Sequence, residues 1–560
     1  MTAASTNSES EEHSAASPSE PSVSVAFQDL RSLLRFRPLQ LAALAVFLAV
    51  VGGFAFYTKL CVIDNDIWWH LKVGDWILEH MAVPHTGILS RTAASRPWIA
   101  YSWGYEVLMS LAYRWFGIMG IGLYGTLLTI GVACSVYWML RRLSGSFWTA
   151  LVLAAITCWS FLFNGMPRPV FFSMILFCIT LTLLLEANRS GRVELLYWLP
   201  LIFWIWVNMH IQFIHGLFLV GLLMATTVAQ RMAEQWGLAP GFLLKPKLPA
   251  LPMIAIFAAC VLATLIGPNF YRPYVAVVEY SKAKFAYNVI IELQPLGFRQ
   301  TSNYFQLLLT AFGFFAVGWR KKIDFFKLAM LTICSVVAYR TMRDAWFIAI
   351  PAAACIADSL GWLTHSLGWN EWDSEGTGAP LILAVGMSGI RERAGAPSNP
   401  SLGLGGIKDY DRPMTLAEVL GVAAITAVLL FLIARGTDFT ERGIDRAISS
   451  EYPVNAVNFL RQHPQPGPLY NNLGWGGFLM WYMPDYPVAV DGRNDLYGDQ
   501  LDQLFYASQN GDAGYQTDPY LNEAGVVLLA ADVPLAKLLT VDPRFQLIYQ
   551  DSMAVVFARR

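Results

Sequence analysis

The chain has 560 residues, 55% of them Ala, Val, Ile, Leu, Met, Phe, Trp, Tyr or Cys and only 14% charged, with a net charge of −1. A soluble domain carries roughly 25% charged residues, so with a mean hydropathy of +0.44 this composition excludes a disordered chain, a coiled coil, a collagen and an ordinary cytosolic enzyme, and it points to a polytopic membrane protein. Nothing in the charge suggests a nucleic-acid partner, and the 20 Trp and 23 Tyr fit many bilayer crossings, because these residues gather at membrane interfaces.

Residues 1–30 are rich in Ser and carry Glu9, Glu11, Glu12 and Glu20. They cannot bury a core and are expected to form a disordered cytoplasmic tail. Eleven apolar runs follow, over 39–58, 118–140, 146–164, 167–187, 194–209, 211–230, 248–267, 303–319, 324–340, 345–362 and 415–434. Each approaches the length of about 20 apolar residues that a spanning helix needs. Arg31, Arg35 and Arg37 place the N-terminus inside. An eleven-span chain then also puts Arg141–Arg142, Arg189 and Arg192, Arg231, Lys245 and Lys247, and Arg320, Lys321 and Lys322 inside, as the positive-inside rule requires. The expected organisation is a transmembrane domain over 31–362, a flexible cytoplasmic loop over 363–413, a last span over 414–435 and an external domain over 436–560.

Within that frame, residues 59–117 form an external loop with two interfacial helices, over 67–80 and 102–116. The C-terminal residues alternate helix and strand: a helix over 453–463, strands over 469–470, 488–490, 526–529, 547–549 and 554–557, and helices over 499–508 and 535–540. That alternation predicts a small soluble α/β domain. Six of the seven Cys lie in apolar runs and no CxxC occurs, which fits buried thiols without a disulfide or zinc framework.

The sharpest chemical signal is Asp64-Asn65-Asp66-Ile67-Trp68-Trp69-His70, just beyond the first span. Two carboxylates one residue apart can hold a divalent cation, Mg or Mn, through hard oxygens. Either can instead accept a proton from an incoming hydroxyl or amine. The local alternative is a helix cap at Asp66 with Asp64 as a solvated turn residue. This stretch, with Gly74, Val83-Pro84, Leu89-Ser90 and Pro97-Trp98, resembles the first external loop of the GT-C glycosyltransferases. That group includes protein mannosyltransferases, the lipid A aminoarabinose transferase, the oligosaccharyltransferase catalytic subunit and bacterial lipopolysaccharide galacturonosyltransferases. Most of them use polyprenyl-phosphate-linked sugars. The likeness in architecture covers about 39–362 and is specific mainly over 64–106.

The resemblance implies an enzyme that moves a sugar from a polyprenyl phosphate to a lipid, glycan or protein acceptor on the outer face of a bacterial inner membrane. It implies that Asp64 is the base or metal partner, with Asp66 in support, and it makes His70 a candidate substrate contact. Glu106 is a candidate second carboxylate, with a solvated interfacial role as the alternative. Arg340 and Arg343, at the outer end of a span, are candidates for the lipid phosphate or for snorkelling to membrane-lipid headgroups. Asn208 and His210, in an outer turn, are candidate cavity residues or structural hydrogen bonders. Glu292, in the 268–302 loop, is a candidate acceptor or metal contact or a solvated charge. Asp491 and Arg493 sit where a strand end would place ligand groups; alternatively they pair and pin a loop. A transporter or flippase of lipid-linked glycans and a non-catalytic membrane subunit are the rival readings. Acidic residues gather outside the spans rather than at the midplane, which favours chemistry over transport. No GxxxxGK[ST], HExxH or GxSxG occurs.

Overall fold

The computed structural model describes residues 37–57, 60–162, 166, 168–282, 284–366, 415–436 and 440–560. The tail expected over 1–30 lies outside these residues, as does the loop expected over 363–413 except for its first four residues, which end the helix Trp346–Ser366.

Every predicted apolar run coincides with a helix: Arg37–Tyr57, the second half of Trp103–Ser144, Phe147–Phe161, Val170–Ser190, Leu199–Met209, Phe213–Gln235, Ala250–Thr264, Thr301–Gly318, Phe325–Arg340, Trp346–Ser366 and Leu416–Gly436. By length and composition, five segments among the described residues suffice to cross a membrane: Arg37–Phe56, Trp103–Ser144, Val170–Ser190, Phe213–Gln235 and Met342–Leu363. Phe147–Phe161 and Ala250–Thr264, with 15 residues each, rise only about 22 Å, below the hydrocarbon thickness. The protein is therefore a multi-pass membrane protein, mostly helical, with one small sheet.

Trp103–Ser144 is two helices joined at Gly117, whose φ of 60° and ψ of −148° break the helix. An L side chain rarely adopts that conformation. The break falls at the end of the helix expected over 102–116. The preceding helix, Asn65–His80, packs along this first half.

The C-terminal residues carry a four-stranded sheet in the order β1-β2-β4-β3, with β1 Leu469–Asn471, β2 Val526–Ala530, β3 Phe545–Gln550 and β4 Ala554–Arg559. β1 pairs parallel to β2, and the other pairs are antiparallel. The strand expected over 488–490 is absent from this sheet. Val488 makes a single bridge to Ser90 instead. The Asn471 side chain satisfies the neighbouring backbone, accepting from Ala489 N at 2.8 Å and donating to Val490 O at 2.8 Å.

These C-terminal residues pack against the 59–117 loop. Trp68 is fully buried, with Phe478, Tyr482 and Tyr452 edge-on at 5.3–5.9 Å. Burying one such ring contributes on the order of 2–3 kcal/mol. Arg91 N donates to Val488 O at 2.8 Å, and the Tyr452 hydroxyl donates to Ile63 O at 2.9 Å. One hydrophobic core runs from the helices through the loop into the sheet.

Candidate active site

The helix Asn65–His80 begins two residues earlier than the spacing predicted, so the cap is Asp64 and not Asp66. The Asp64 carboxylate accepts from Asp66 N at 3.1 Å. It is 2% exposed, and both its oxygens face one guanidinium. Arg168 Nε donates to Oδ2 at 2.7 Å and Nη2 to Oδ1 at 2.8 Å. This two-pronged geometry is the strong form of a charge-assisted pair. Nη1 of the same arginine lies 3.1 Å from Asp66 Oδ2 and 3.2 Å from Glu292 Oε1. Three carboxylates thus surround one cation.

Asp66 differs from its neighbour. Its side chain keeps 20% of its surface accessible, and Oδ1 accepts from Trp69 Nε1 at 3.1 Å. Burial raises its carboxyl to about 6 against the opposing pull of Arg168, with the Asp64 charge adding to the rise. Gly492 of the C-terminal segment backs this carboxylate so closely that a Cβ there would lie 2.2 Å from Asp66 Oδ1.

Glu292 sits on the short turn Ile291–Leu293, and its Oε1 also faces Arg343 Nη1 at 3.9 Å. Arg343 donates from Nη1 to the Tyr280 hydroxyl at 2.9 Å. Behind Asp66, His70 Nδ1 and Glu106 Oε1 lie 3.0 Å apart and buried. Burial, together with the positive field of Arg168, holds the His70 ring well below its ordinary value, so the imidazole is neutral. Glu106 is buried at 1% rather than solvated, with Oε2 unpaired.

The structure therefore brings Asp64, Asp66, Glu292 and Arg343 together, with His70 and Glu106 packed beneath. It separates the other candidates from them. Arg340 is exposed and lies 5.4 Å over the Tyr287 ring. Asn208 is saturated, accepting from Trp103 Nε1 and donating to Trp204 O and Ile266 O. His210 Nδ1 meets Ser173 Oγ at 2.9 Å, and that hydroxyl also accepts from Trp206 Nε1. Asp344, next to Arg343 in sequence, accepts from Gln212 Nε2 at 3.0 Å and from the Thr341 hydroxyl at 2.8 Å. Asp491 and Arg493 form a fully buried two-pronged pair at 2.8 and 2.9 Å. The Tyr497 hydroxyl also donates to Asp491, and Arg493 Nη2 donates to Ile88 O, so the pair ties the 85–98 loop to the C-terminal residues.

Arg168 escaped the sequence reading. It lies in Met166-Pro167-Arg168-Pro169, counted as the start of an apolar run. The available signal was topological: in the eleven-span order this turn falls on the same face as Asp64. Arg168 also bears on the question of a metal. Its guanidinium takes the space among the three carboxylates that a divalent cation would need. Among the described residues no group of three or more His, Cys, Asp or Glu side chains is placed to hold a metal ion. Arranged around this guanidinium, the carboxylates leave no room for a cation, and no step is derived through one.

No family model matches the chain, and no curated protein does. Among solved structures, the chain is similar to the apo oligosaccharyltransferase of Archaeoglobus fulgidus, at 11% identity over 93% of this chain and 74% of that one, with a TM-score of 0.47. The same enzyme in complex with Zn and sulfate aligns at 11% identity over 91% and 73%, with a TM-score of 0.43. ArnT from Cupriavidus metallidurans, bound to undecaprenyl phosphate, aligns at 14% identity over 92% of this chain and 97% of its own, with a TM-score of 0.42. At these identities and TM-scores the functional reading rests on the cleft itself.

Proposed function

We propose that this cleft transfers a sugar from a polyprenyl-phosphate donor to a hydroxyl or amine of a lipid, glycan or protein acceptor, at the outer face of a bacterial inner membrane. The observation that carries the reading is the sharing of Arg168 by Asp64, Asp66 and Glu292, with Arg343 alongside. It sets carboxylates able to take a proton within a few ångströms of guanidiniums able to receive a phosphate. The sugar and its lipid carrier follow from the resemblance of the 64–106 loop.

In the proposed reaction the acceptor oxygen or nitrogen attacks the anomeric carbon. The bond from that carbon to the phosphate oxygen breaks, and its electron pair stays on the phosphate. Arg168 and Arg343 neutralise that charge, the stabilisation such a leaving group needs. Asp66 takes the acceptor's proton. Its partial exposure and its value of about 6 suit a base working near neutral pH. Asp64, with both oxygens engaged, orients Arg168.

The test compares two isosteric variants in membranes at matched expression, with a polyprenyl-phosphate sugar as donor. Asp66→Asn is expected to lower turnover at least about a hundredfold with an unchanged thermal midpoint. Asp64→Asn still caps the helix but loses the charge that holds Arg168, so turnover and midpoint both fall. Full activity in both variants would remove these carboxylates from the mechanism.

A further inference from the structure

The helix Val170–Ser190 starts just after Arg168, and its 21 residues carry the chain about 30 Å from the cleft. At that far end several connections meet. The helix Phe213–Gln235 runs into residues 236–249, and the helix Thr301–Gly318 into residues 319–324. These two connections join through backbone: Leu244 N donates to Ile323 O at 2.9 Å, and Ile323 N donates to Phe242 O at 2.9 Å. Lys247 Nζ donates to Arg189 O at 2.6 Å, which ties the end of Val170–Ser190 to the same face. The arrangement sets Lys245, Lys321 and Lys322 about one short backbone ladder, and all three are exposed. Among the described residues, none of the three ammonium groups has a hydrogen bond or an ion pair.

The acids closest to them in the fold are already engaged. Asp358 is buried, with Lys327 at 2.5 Å and Arg320 at 3.0 Å. Asp324 accepts from Asn188 Nδ2 at 3.0 Å and from Lys327 N at 3.3 Å. Glu234 pairs with Arg231 at 3.8 Å. With those carboxylates held inside the protein, the charge of the three lysines faces outward. The same two connections also carry large apolar side chains with their surface uncovered: Trp236, Leu238, Phe242 and Trp319 are each more than half exposed. Trp236 and Trp319 directly follow the last residues of their helices, where aromatic rings sit at headgroup depth in a bilayer.

We propose that this face is a docking surface for anionic phospholipid headgroups of the leaflet it meets, with Lys245, Lys321 and Lys322 taking the phosphates and Trp236, Leu238 and Phe242 entering the acyl boundary. Charge selects the headgroup: each cation near the surface favours an anionic lipid roughly fivefold. Apolar surface selects the lipid over a soluble anion, because uncovered apolar side chains beside cations suit a segment lying in a membrane interface. The backbone ladder supplies what a loose basic tail lacks. It holds the two connections against each other, so the cations act as one surface. The inference goes beyond the transferase reading and stands whether or not the cleft moves a sugar.

Full-length protein in neutral detergent would be mixed with equal amounts of phosphatidylglycerol and phosphatidylcholine, and the lipids retained after washing counted by native mass spectrometry. Wild type is expected to retain phosphatidylglycerol about tenfold or more over phosphatidylcholine. The triple variant Lys245→Gln, Lys321→Gln, Lys322→Gln is expected to lose most of that preference at an unchanged thermal midpoint, because these side chains make no bond within the described protein. Arg at the same three positions keeps the charge and should keep the preference. Gln at exposed Lys282, Lys284 and Lys537, on the cleft side, removes as much charge and should leave the preference intact. Lys322→Gln alone, with an expected loss of about fivefold, carries the test if the triple variant does not fold. The proposal is overturned if wild type retains the two lipids equally, if the Gln variant of the far face matches wild type, or if the cleft-side variant loses as much. Displacement of the lipid by soluble glycerol phosphate would also overturn it, by making the face a site for free phosphate and not for a membrane.

Discussion

Arg168 is the residue on which the cleft depends. It faces Asp64, Asp66 and Glu292 at 2.7–3.2 Å, and without it Asp64 would be a buried carboxylate with no cation. Breaking a buried pair by removing one partner costs roughly 3–5 kcal/mol, because the remaining charge stays desolvated. Arg168→Ala is therefore expected to lower unfolding stability on that scale, measured by denaturant titration in detergent, and to abolish undecaprenyl phosphate binding. Lys restores the charge but not the planar fork, which engages two oxygens of Asp64 at once, so Arg168→Lys should fall between Ala and wild type in both measurements. Equal stability of the Ala variant and wild type would show that Asp64 is not held by this pair.

At the scale of elements, the helix Asn494–Gln509 carries three carboxylates, Asp495, Asp499 and Asp502. It has non-helical backbone at Gly498, with φ 67° and ψ 165°. Beyond this break, Asp499 Oδ2 accepts from Lys284 N at 2.9 Å and Phe285 N at 3.2 Å, clamping the 268–302 loop onto the helix. Asp502, one turn further, is 4% exposed with Oδ1 unpaired. Burial, with Asp491, Asp499 and Asp495 adding to it, pushes its carboxyl up to about 8. The folded chain therefore holds a proton that the unfolded chain releases at its ordinary value near 4. The stabilisation is fully present below that ordinary value and is lost as pH rises through about 8. Asp502→Asn is uncharged at every pH. Its thermal midpoint relative to wild type should climb steadily between pH 5 and pH 9, and a difference that stays flat across that range would refute the assignment.

At the scale of the molecule, the 59–117 loop and residues 440–560 build one wall. Besides the Arg91 and Tyr452 contacts, Thr92 Oγ1 donates to Ala489 O at 2.5 Å, and Trp69 and Trp98 pack edge-on at 6.2 Å. The opposite end of the helices carries buried Asp358, ringed by Lys327 at 2.5 Å, Arg320 at 3.0 Å and Arg189 at 3.5 Å. Arg189 and Arg320 belong to the basic connections that sequence places inside, and Lys327 lies in the first turn of the helix Phe325–Arg340. Single cysteines at exposed Val541 and His85 should both react with an impermeant maleimide on intact cells. A cysteine at Lys322 should react only after permeabilisation. Labelling of Lys322→Cys in intact cells would reverse the orientation.

Composition and hydropathic period by themselves determined the class of protein and the position of the apolar helices. These follow from a property local to the chain: a run of apolar residues must be helical in lipid to satisfy its own backbone. The Asp64–Asp66 pair was legible too, since acidic residues beside a span stand out against 14% charge. What tertiary structure decided was partnership. Asp64 and Arg168 are 104 residues apart, Arg168 and Glu292 are 124 apart, and no period links them. The same holds for Asp491 and Arg493. Two residues apart in sequence, they turn on each other where the 85–98 loop closes over them, with Arg493 Nη2 donating to Ile88 O. Spacing along the chain cannot say which arginine meets a carboxylate and which meets a headgroup. Arg343 and Arg340 are three residues apart on one outer turn, and only the packing of the 268–302 loop turns one inward and leaves the other outside.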